Sequence, residues 1–345
     1  MTDFTLFFEP ADLLLFRDHR PFDMGLQVLA RSRFPGPSVF FGCLRTALLE
    51  GEDPGYFRGR PSQERIDLDI EKRWGLRLQG PLLARYSHDV LDCYYPMPFD
   101  TDLDGDTLRK RHQVKSPSEL GVLDLGQKGQ GSPLHIHLTK TPKGAPTVWL
   151  TAAGLEWWRT VALHSPSTGK VIAQDRIYRD ETRIGIARER DRLVTQEGMF
   201  YVTIKLRFAA DCGFAVEVQV AESTAQRFRD LLHERYVNLG GRRHVARVRV
   251  LEGAQVRAAM ADSAASPTRL LLLTPTPAAT NCTGATTQLS SNKALPGGGY
   301  DMAKRAPKPL VPLCPAGTVF FGEKLHLDLD ERSQTAGYGM HTIGD

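Results

Sequence analysis

The sequence predicts an α+β protein, on three observations. Apolar and polar residues alternate with period two through Phe200–Phe208 and again through Phe214–Val220, the mark of half-buried strands. Directly after them, Ser223–Asn238 places Phe228, Leu231, Leu232 and Tyr236 on one helical face. Val245–Val250 and Arg269–Leu273 then return to strand patterning. Units that read strand, strand, helix, strand with short links pack helices on an antiparallel sheet, and ferredoxin-like (RRM-like) domains are assembled this way.

Along the chain, Thr5–Phe8 and Leu13–Phe16 are apolar runs split by Glu9-Pro10, which predicts two strands with a break. An arginine-bearing polar loop, Arg17–Pro37, follows. Ser38 is placed to cap a helix through Val39, Phe40, Leu44, Ala47 and Leu48 that stops near Gly51. Residues 51–147 are rich in Pro, Gly and Asp and read as an insertion with short strands, Pro81–Tyr86 among them. Within it Asp100–Asp106 is turn-like and Gly121–Ser132 is glycine-rich. Thr147–Leu150 reads as a strand, Leu155–Leu163 as a short helix, and Val171–Arg192 as a hairpin about Gly185. Gly240-Gly241 reads as the stop of the Ser223–Asn238 helix. Residues 275–310, rich in Pro, Thr and Gly, read as a long loop. No regular repeat is visible, although two degraded copies of one unit are compatible with the pattern.

Bulk properties set the bounds. A chain of 345 residues, 41% of them apolar, can bury one large core or two modest ones. The formal charge is only +4, so a nucleic-acid site requires locally concentrated positive charge. Cys43, Cys93, Cys212, Cys282 and Cys314 are far apart and form no C-x-x-C pair. That spacing points away from metal and disulfide frameworks and toward a reducing compartment, the cytoplasm. The start MTDFTLFFEP has no basic n-region, and no apolar run nears the ~20 residues of a membrane span. Asn281-Cys282-Thr283 fits a glycosylation pattern by chance in such a protein.

Four segments can carry chemistry. The first comprises Arg17, His19, Arg20, Arg31, Arg33 and Gly36, leading into the helix at Ser38. Arginine forks donate two parallel hydrogen bonds to phosphate, and a helix N-terminus adds unpaired N–H groups. A solvated loop with an Arg17–Asp18 ion pair explains the same residues equally well. The second comprises Arg183, Arg188 and Arg190 around Gly185. Interleaved Asp180, Glu181, Glu189 and Asp191 favour a salt-bridged exposed hairpin on composition. The third is Gly240-Gly241-Arg242-Arg243-His244, where glycines let a backbone approach closely and three side chains can donate to phosphate. An ordinary helix cap also accounts for every residue there. The fourth holds Lys293, Gly297, Gly298, Gly299, Tyr300, Lys304 and Arg305. Consecutive glycines expose N–H groups that can cradle an anion, and a tyrosine can stack on a base. A flexible linker is the alternative.

Catalytic patterns are weaker. His135-x-His137 puts two imidazoles on one strand face without a third ligand, and exposed strand histidines are the simpler reading. Asp102, Asp104 and Asp106 open like a calcium loop, but Thr107 and Gln113 occupy the positions that need Gly and Glu. No G-x-S-x-G, H-E-x-x-H or Walker motif is present, so neither metal nor cofactor is expected. Trp157-Trp158 and Phe40-Phe41 read as core and interface.

Taken in order, several blocks resemble one family. Asp12-Leu-Leu-Leu-Phe-Arg-Asp-His-Arg-Pro-Phe22 and Pro35-Gly-Pro-Ser-Val-Phe-Phe-Gly-Cys-Leu-Arg-Thr-Ala47 are similar to the N-terminal signature of the third Cmr subunit of type III-B CRISPR effector complexes, a RAMP-superfamily protein. Arg183-Ile-Gly-Ile-Ala-Arg188 with Gly198-Met-Phe-Tyr201 resembles its middle block. Leu239-Gly-Gly241, Pro315-Ala-Gly-Thr-Val-Phe-Phe321 and Gly337-Tyr-Gly339 resemble its later turn, strand and glycine loop. The resemblance implies two packed ferredoxin-like domains, here 1–150 and 151–345. It implies a non-catalytic role in antiviral defence: capturing the 5′ tag of the CRISPR RNA and bridging the large polymerase-like subunit to the backbone subunit. The four segments then become candidate tag contacts. A RAMP-type endoribonuclease that processes CRISPR precursor RNA, with His19, His135 or His244 as base, is the enzymatic alternative. A scaffold facing protein partners only is the third.

Overall fold

The computed structural model describes residues 1–16, 29–52, 73–110, 135–139, 147–160, 166–188, 194–258, 268–291, 295–301 and 306–344. Two sheets dominate it, and the α+β class is borne out. The larger sheet contains β1 (Thr2–Pro10), β3 (Arg77–Ser87), β4 (Val90–Pro96), β8 (Val148–Leu150), β9 (Val171–Ala173), β12 (Cys212–Val220), β13 (Arg235–Asn238) and β14 (Val245–Glu252). Its order is β13-β14-β1-β12-β3-β4-β8-β9. Strands from both sides of residue 150 share it. Within it β14, β1, β12 and β3 are antiparallel neighbours. Helix α1 (Pro37–Glu52) follows β1, and α3 (Ala225–Leu232) follows β12.

Alternation along β1 explains both layers. Phe4, Leu6 and Phe8 point to one side, where they pack with Phe40, Leu44 and Leu48 of α1 and with Phe228 and Leu232 of α3. Phe7 points to the other side and joins Leu82, Tyr95, Leu271, Val319 and Met340. Each such fully buried Phe or Leu contributes about 1.5–3 kcal/mol of transfer free energy. The strand therefore reads as an uninterrupted apolar run because both of its faces are covered.

The second sheet is built from β7 (His135–Thr139), β15 (Arg269–Leu272), β17 (Asn281–Ser291), β22 (Val319–Asp328) and β23 (His341–Gly344), in the order β23-β15-β22-β17-β7. β7 is parallel to its neighbour β17. Numbered within each group, β14-β1-β12-β3 and β23-β15-β22-β17 have the same order: fourth, first, third, second. Helix α2 (Ala152–Thr160) brings Leu155, Trp157 and Trp158 into the layer shared with the second sheet, so the tryptophan pair is core. The short α4 (Gln255–Ala258) follows β14, and α5 (Glu331–Thr335) links β22 to β23. A three-stranded ribbon is made by β2 (Leu29–Arg31), β10 (Tyr178–Arg188) and β11 (Thr195–Phe208). Smaller pairings join β5 (Thr101–Asp104) to β6 (Thr107–Lys110), and β19 (Tyr300–Asp301) to β20 (Ala306–Pro307). In a further set, β21 (Val311–Cys314) lies between β16 (Thr276–Pro277) and β18 (Leu295–Gly297).

Several expectations are corrected. The predicted Ser223–Asn238 helix ends at Leu232: His233 is extended, Glu234 has φ +58°, and 235–238 forms β13. The backbone there finds ladder partners on β14, and tertiary pairing overrides helical spacing. Tyr236 is consequently 61% exposed on a strand. Gly240-Gly241 caps no helix; it lies in the β13–β14 connection. Gly185 is not a hairpin turn. It sits inside β10 opposite Tyr201, and the chain reverses after Arg188. Pro81–Tyr86 belongs to an eleven-residue strand inside the large sheet rather than to a short insertion strand. Leu13–Phe16 makes a single bridge, Leu14 to Leu206, in place of a strand. The 275–310 stretch contains the eleven-residue β17. Pro37 opens α1 one residue before the expected start, as suits a proline whose missing N–H has no helical partner. Asp102–Asp106 forms the β5–β6 hairpin, turned at Gly105 (φ +64°) and braced by an Asp104–Arg109 pair at 2.9 Å. Gly121–Ser132 lies outside the described residues. No helix among those described is long and apolar enough to cross a membrane.

Candidate nucleic-acid interface

The third predicted segment is the centre of the site. Leu239 N–H donates to the His244 carbonyl at 2.8 Å, and His244 N–H donates to the Gly241 carbonyl at 3.4 Å. Arg242 and Arg243 both have φ +56°, the two left-handed positions of a tight hairpin turn. Gly240 (φ +84°) approaches so closely that a Cβ there would lie 2.6 Å from the Leu15 carbonyl oxygen. Gly241 N–H donates to that same oxygen at 2.7 Å. The turn is thus fastened to the Leu13–Phe16 segment at the point where it enters Arg17.

The other segments close around it. Phe16 N–H donates to Ser32 Oγ at 3.2 Å, and Arg33 N–H donates to the Phe16 carbonyl at 3.1 Å. β2 runs parallel to β11, pairing Ala30 with Thr203. Tyr201 of β11 faces Gly185 of β10 across the ladder, and a Cβ on Gly185 would fall 2.2 Å from the tyrosine ring. Arg242 Nη1 donates to the Tyr201 hydroxyl at 2.8 Å, and its guanidinium lies 4.6 Å from the ring centroid. The turn, the ribbon and the segment leading to Arg17 therefore meet in one place. Between α1 and the turn lies a cleft of about 330 Å³ whose lining includes Phe16, Val39, Gly42, Asn238, Gly240 and Gly241.

Charge is organised along the same ribbon. Arg207 holds Glu181 through a hydrogen bond, and Arg183 adds an ion pair at 2.5 Å. Arg207 also reaches Asp12 at 3.4 Å. The hydrogen bond from Arg207 chiefly, with Arg183, pulls Glu181 down to about 2, against a smaller opposing effect of burial. His244 moves below its usual range because burial, then Lys205 and Arg242, disfavour its charged form, while Asp12 opposes them. Among the described residues its Nε2 is buried without a hydrogen-bond partner. Burial pushes the Cys43 thiol in the cleft wall up to about 12, with Glu50 adding to the shift, which disfavours its thiolate. The ribbon also carries exposed apolar side chains, with Ile184 at 74% and Val194, just before β11, at 51%.

Arg33, Gly36, Ser38, Arg183 and Gly240–His244 are placed in or beside this cluster. Arg31 ends β2 and Arg188 ends β10. Arg17, His19, Arg20, Arg190, Lys293, Lys304 and Arg305 lie outside the described residues. The fourth segment takes a different place: Gly297 ends β18 in register with Val311, and Gly298 and Gly299 follow it, exposed. Lys308 N–H donates to the Gly299 carbonyl at 2.9 Å, and Tyr300 opens β19. Sequence reasoning passed over Tyr201, Lys205 and Arg207 as site residues. The signal was their period-two spacing, which puts all three on one face of β11.

Fold and site together define a two-sheet α+β protein with a basic, glycine-turned edge. Over residues 6–344 the sequence matches the family described as CRISPR-associated protein (Cas_Cmr3), and the chain belongs to that family. The resemblance read from Asp12 to Gly339 is thereby borne out. Among solved structures, the type III-B Cmr-beta complex bound to cognate target RNA and AMPPnP has a chain with TM-score 0.52 and 13% identity, over 92% of this chain and 86% of that one. The Cmr-beta complex bound to cognate target RNA alone gives TM-score 0.52 and 13% identity, over 93% and 86%. A chain of the Csm3-Csm4 subcomplex of the type III-A interference complex gives 0.46 at 11% identity, over 99% of each. None of the curated proteins matches.

Proposed function

We propose that this chain is a non-catalytic RNA-holding subunit of a cytoplasmic type III CRISPR effector, that it clamps the 5′ tag of the CRISPR RNA, and that it bridges the large polymerase-like subunit to the backbone subunit. The observation that carries the reading is that the turn bearing Arg242 and Arg243 is fastened both to the Leu15–Phe16 end of the first segment and to Tyr201 of the ribbon, beside a cleft of about 330 Å³ lined by Phe16, Gly240 and Gly241. Cationic side chains beside a cleft at a glycine-turned edge suit a single-stranded polyanion. The shared strand order supports reading both sheets as ferredoxin-like units. On that reading the first unit spans 2–252 and carries 88–211 as an insertion, and the second spans 269–344.

A subunit that holds RNA rather than cutting it needs no proton-transfer pair. His244, the histidine of the turn, has its Nε2 buried, which disfavours that nitrogen as a base toward a bound RNA. The test is direct. The full-length chain should bind single-stranded repeat-derived RNA with steep salt dependence, weakened by Arg17→Ala, Arg20→Ala or Lys304→Ala. Intact binding and intact complex assembly in all three variants would refute the tag clamp. Cleavage of labelled repeat RNA that disappears in His19→Ala or His244→Ala would replace it with the endoribonuclease reading.

A further inference from the structure

We propose that Tyr201 and Arg242 form a preassembled stacking surface for one unpaired nucleobase, so that Arg242 contacts a base rather than a phosphate. The inference rests on the RNA-holding reading above and deepens it by naming what this one side chain takes.

Three layers build the surface. Gly185 is the floor: any side chain at that position would strike the Tyr201 ring, whose nearest atom is 2.2 Å from an added Cβ. A cross-strand aromatic lying over a strand glycine is a stable arrangement, because the ring covers backbone that glycine leaves bare. Tyr201 is the middle layer, held in register opposite Gly185. Arg242 is the top layer, with its guanidinium 4.6 Å from the ring centroid.

The orientation of the guanidinium decides its ligand. One donor, Nη1, is already committed to the Tyr201 hydroxyl at 2.8 Å. That bond and the ring contact fix the guanidinium over the ring, whereas a phosphate ligand works best with both prongs of the fork directed at the anion. A guanidinium stacked on an aromatic ring offers a flat, weakly hydrated cation to a base, and base stacking on arginine or tyrosine is a general mode of single-strand RNA recognition. The residue is exposed. Its backbone is left-handed at φ +56°, which side-chain-bearing residues rarely adopt, yet an arginine occupies the position although the two preceding residues are glycines. Arg183 contrasts with it: its guanidinium is paired with Glu181 at 2.5 Å, and it contributes charge to the ribbon.

The experiment uses the full-length chain and a fluorescent single-stranded RNA of the repeat-derived sequence. Anisotropy is measured over a series of salt concentrations. Arg242→Gly, which relieves the left-handed backbone and so favours the fold, should weaken binding roughly tenfold, as should Arg242→Lys, which keeps the charge but loses the plane. The slope of log affinity against log salt should stay unchanged in both. An abasic nucleotide at one position of the RNA should cause the same loss in the wild type and no further loss in Arg242→Gly. Binding restored by lysine together with a shallower slope in Arg242→Gly would make Arg242 a phosphate ligand and overturn the proposal. Unchanged affinity in Arg242→Gly would also overturn it and leave the RNA-holding reading standing. A wild-type chain that binds none of this RNA would instead sink the RNA-holding reading itself.

Discussion

Arg269 and Asp100 form a buried ion pair, with 3.5 Å between Arg269 Nη1 and Asp100 Oδ2 and side-chain exposures of only 4% and 5%. Trp158 completes the group. Its indole N–H donates to Asp100 Oδ1 at 2.8 Å, its carbonyl accepts from Arg269 Nη2 at 3.0 Å, and its ring lies 4.7 Å below the guanidinium. The group ties the loop after β4, helix α2 and strand β15 of the second sheet together. Breaking a buried pair from one side leaves an uncompensated charge. Arg269→Met should therefore destabilise the protein by about 3–5 kcal/mol in urea unfolding, and adding Asp100→Asn should recover a large part of that loss. If the double variant were no more stable than the single one, the pair would not be what couples these elements.

Acid should unfold this protein through carboxylates held by arginine. Glu181 falls from 4.5 to about 2, chiefly through the Arg207 hydrogen bond. Glu9 also lies below 4.5: burial raises it, but Arg247 and Arg249 together outweigh burial. Both folded values are depressed, so the unfolded chain binds more protons than the folded one in this window. Their contribution is present above about pH 4.5 and is lost as the pH falls below it. Urea midpoints followed from pH 7 to pH 3 should drop at the acid end. Glu181→Gln and Glu9→Gln should lower the midpoint at pH 7 and flatten the acid limb. A limb of unchanged steepness in both variants would assign acid sensitivity to other groups.

How legible the molecule was depends on where each segment finds its hydrogen bonds. β14 is marked by its own sequence because its burial follows the period-two pattern, and β1 is marked by a continuous apolar run because both of its faces are covered. Arg235–Asn238 was misread because its apolar positions also continue a helical face, and only the partner strand Val245–Val248 decides the outcome. Gly185 looked like a turn because nothing local reveals that Tyr201 covers it. The strands within 275–310 are polar on exposed faces, so composition suggested a loop. The site was legible in its glycines and arginines, whereas the aromatic centre became visible only when β10 and β11 were paired.

Two glycines of the first and third segments should respond unequally to alanine. Gly240 has φ +84°, and an added Cβ would lie 2.6 Å from the Leu15 carbonyl oxygen, a backbone atom with little room to yield. Gly240→Ala should cost about 1–3 kcal/mol and, by displacing the turn from Phe16, lower RNA affinity. Gly36 has nothing within 4 Å of the corresponding position. Gly36→Ala should change stability by less than about 0.5 kcal/mol and leave RNA affinity near the wild-type value. Melting temperature and anisotropy on the same preparations measure both effects. Equal losses in the two variants would mean that close approach at Leu15 is not what the third segment requires.

Arg243 allows stability and function to be separated at one residue. It is exposed and has φ +56°, a conformation that costs a side-chain-bearing residue about 1–2 kcal/mol relative to glycine. Arg243→Gly should therefore raise the melting temperature, since part of that strain disappears. The same change removes a cation from the edge of the proposed clamp, so affinity for repeat-derived RNA should fall uniformly across sequences and the salt slope should become shallower by about one phosphate contact. A variant that is both more stable and weaker in binding cannot be explained by damage to the fold, which makes this substitution more informative than an alanine in the core. A variant more stable but with full affinity and an unaltered slope would remove Arg243 from the clamp.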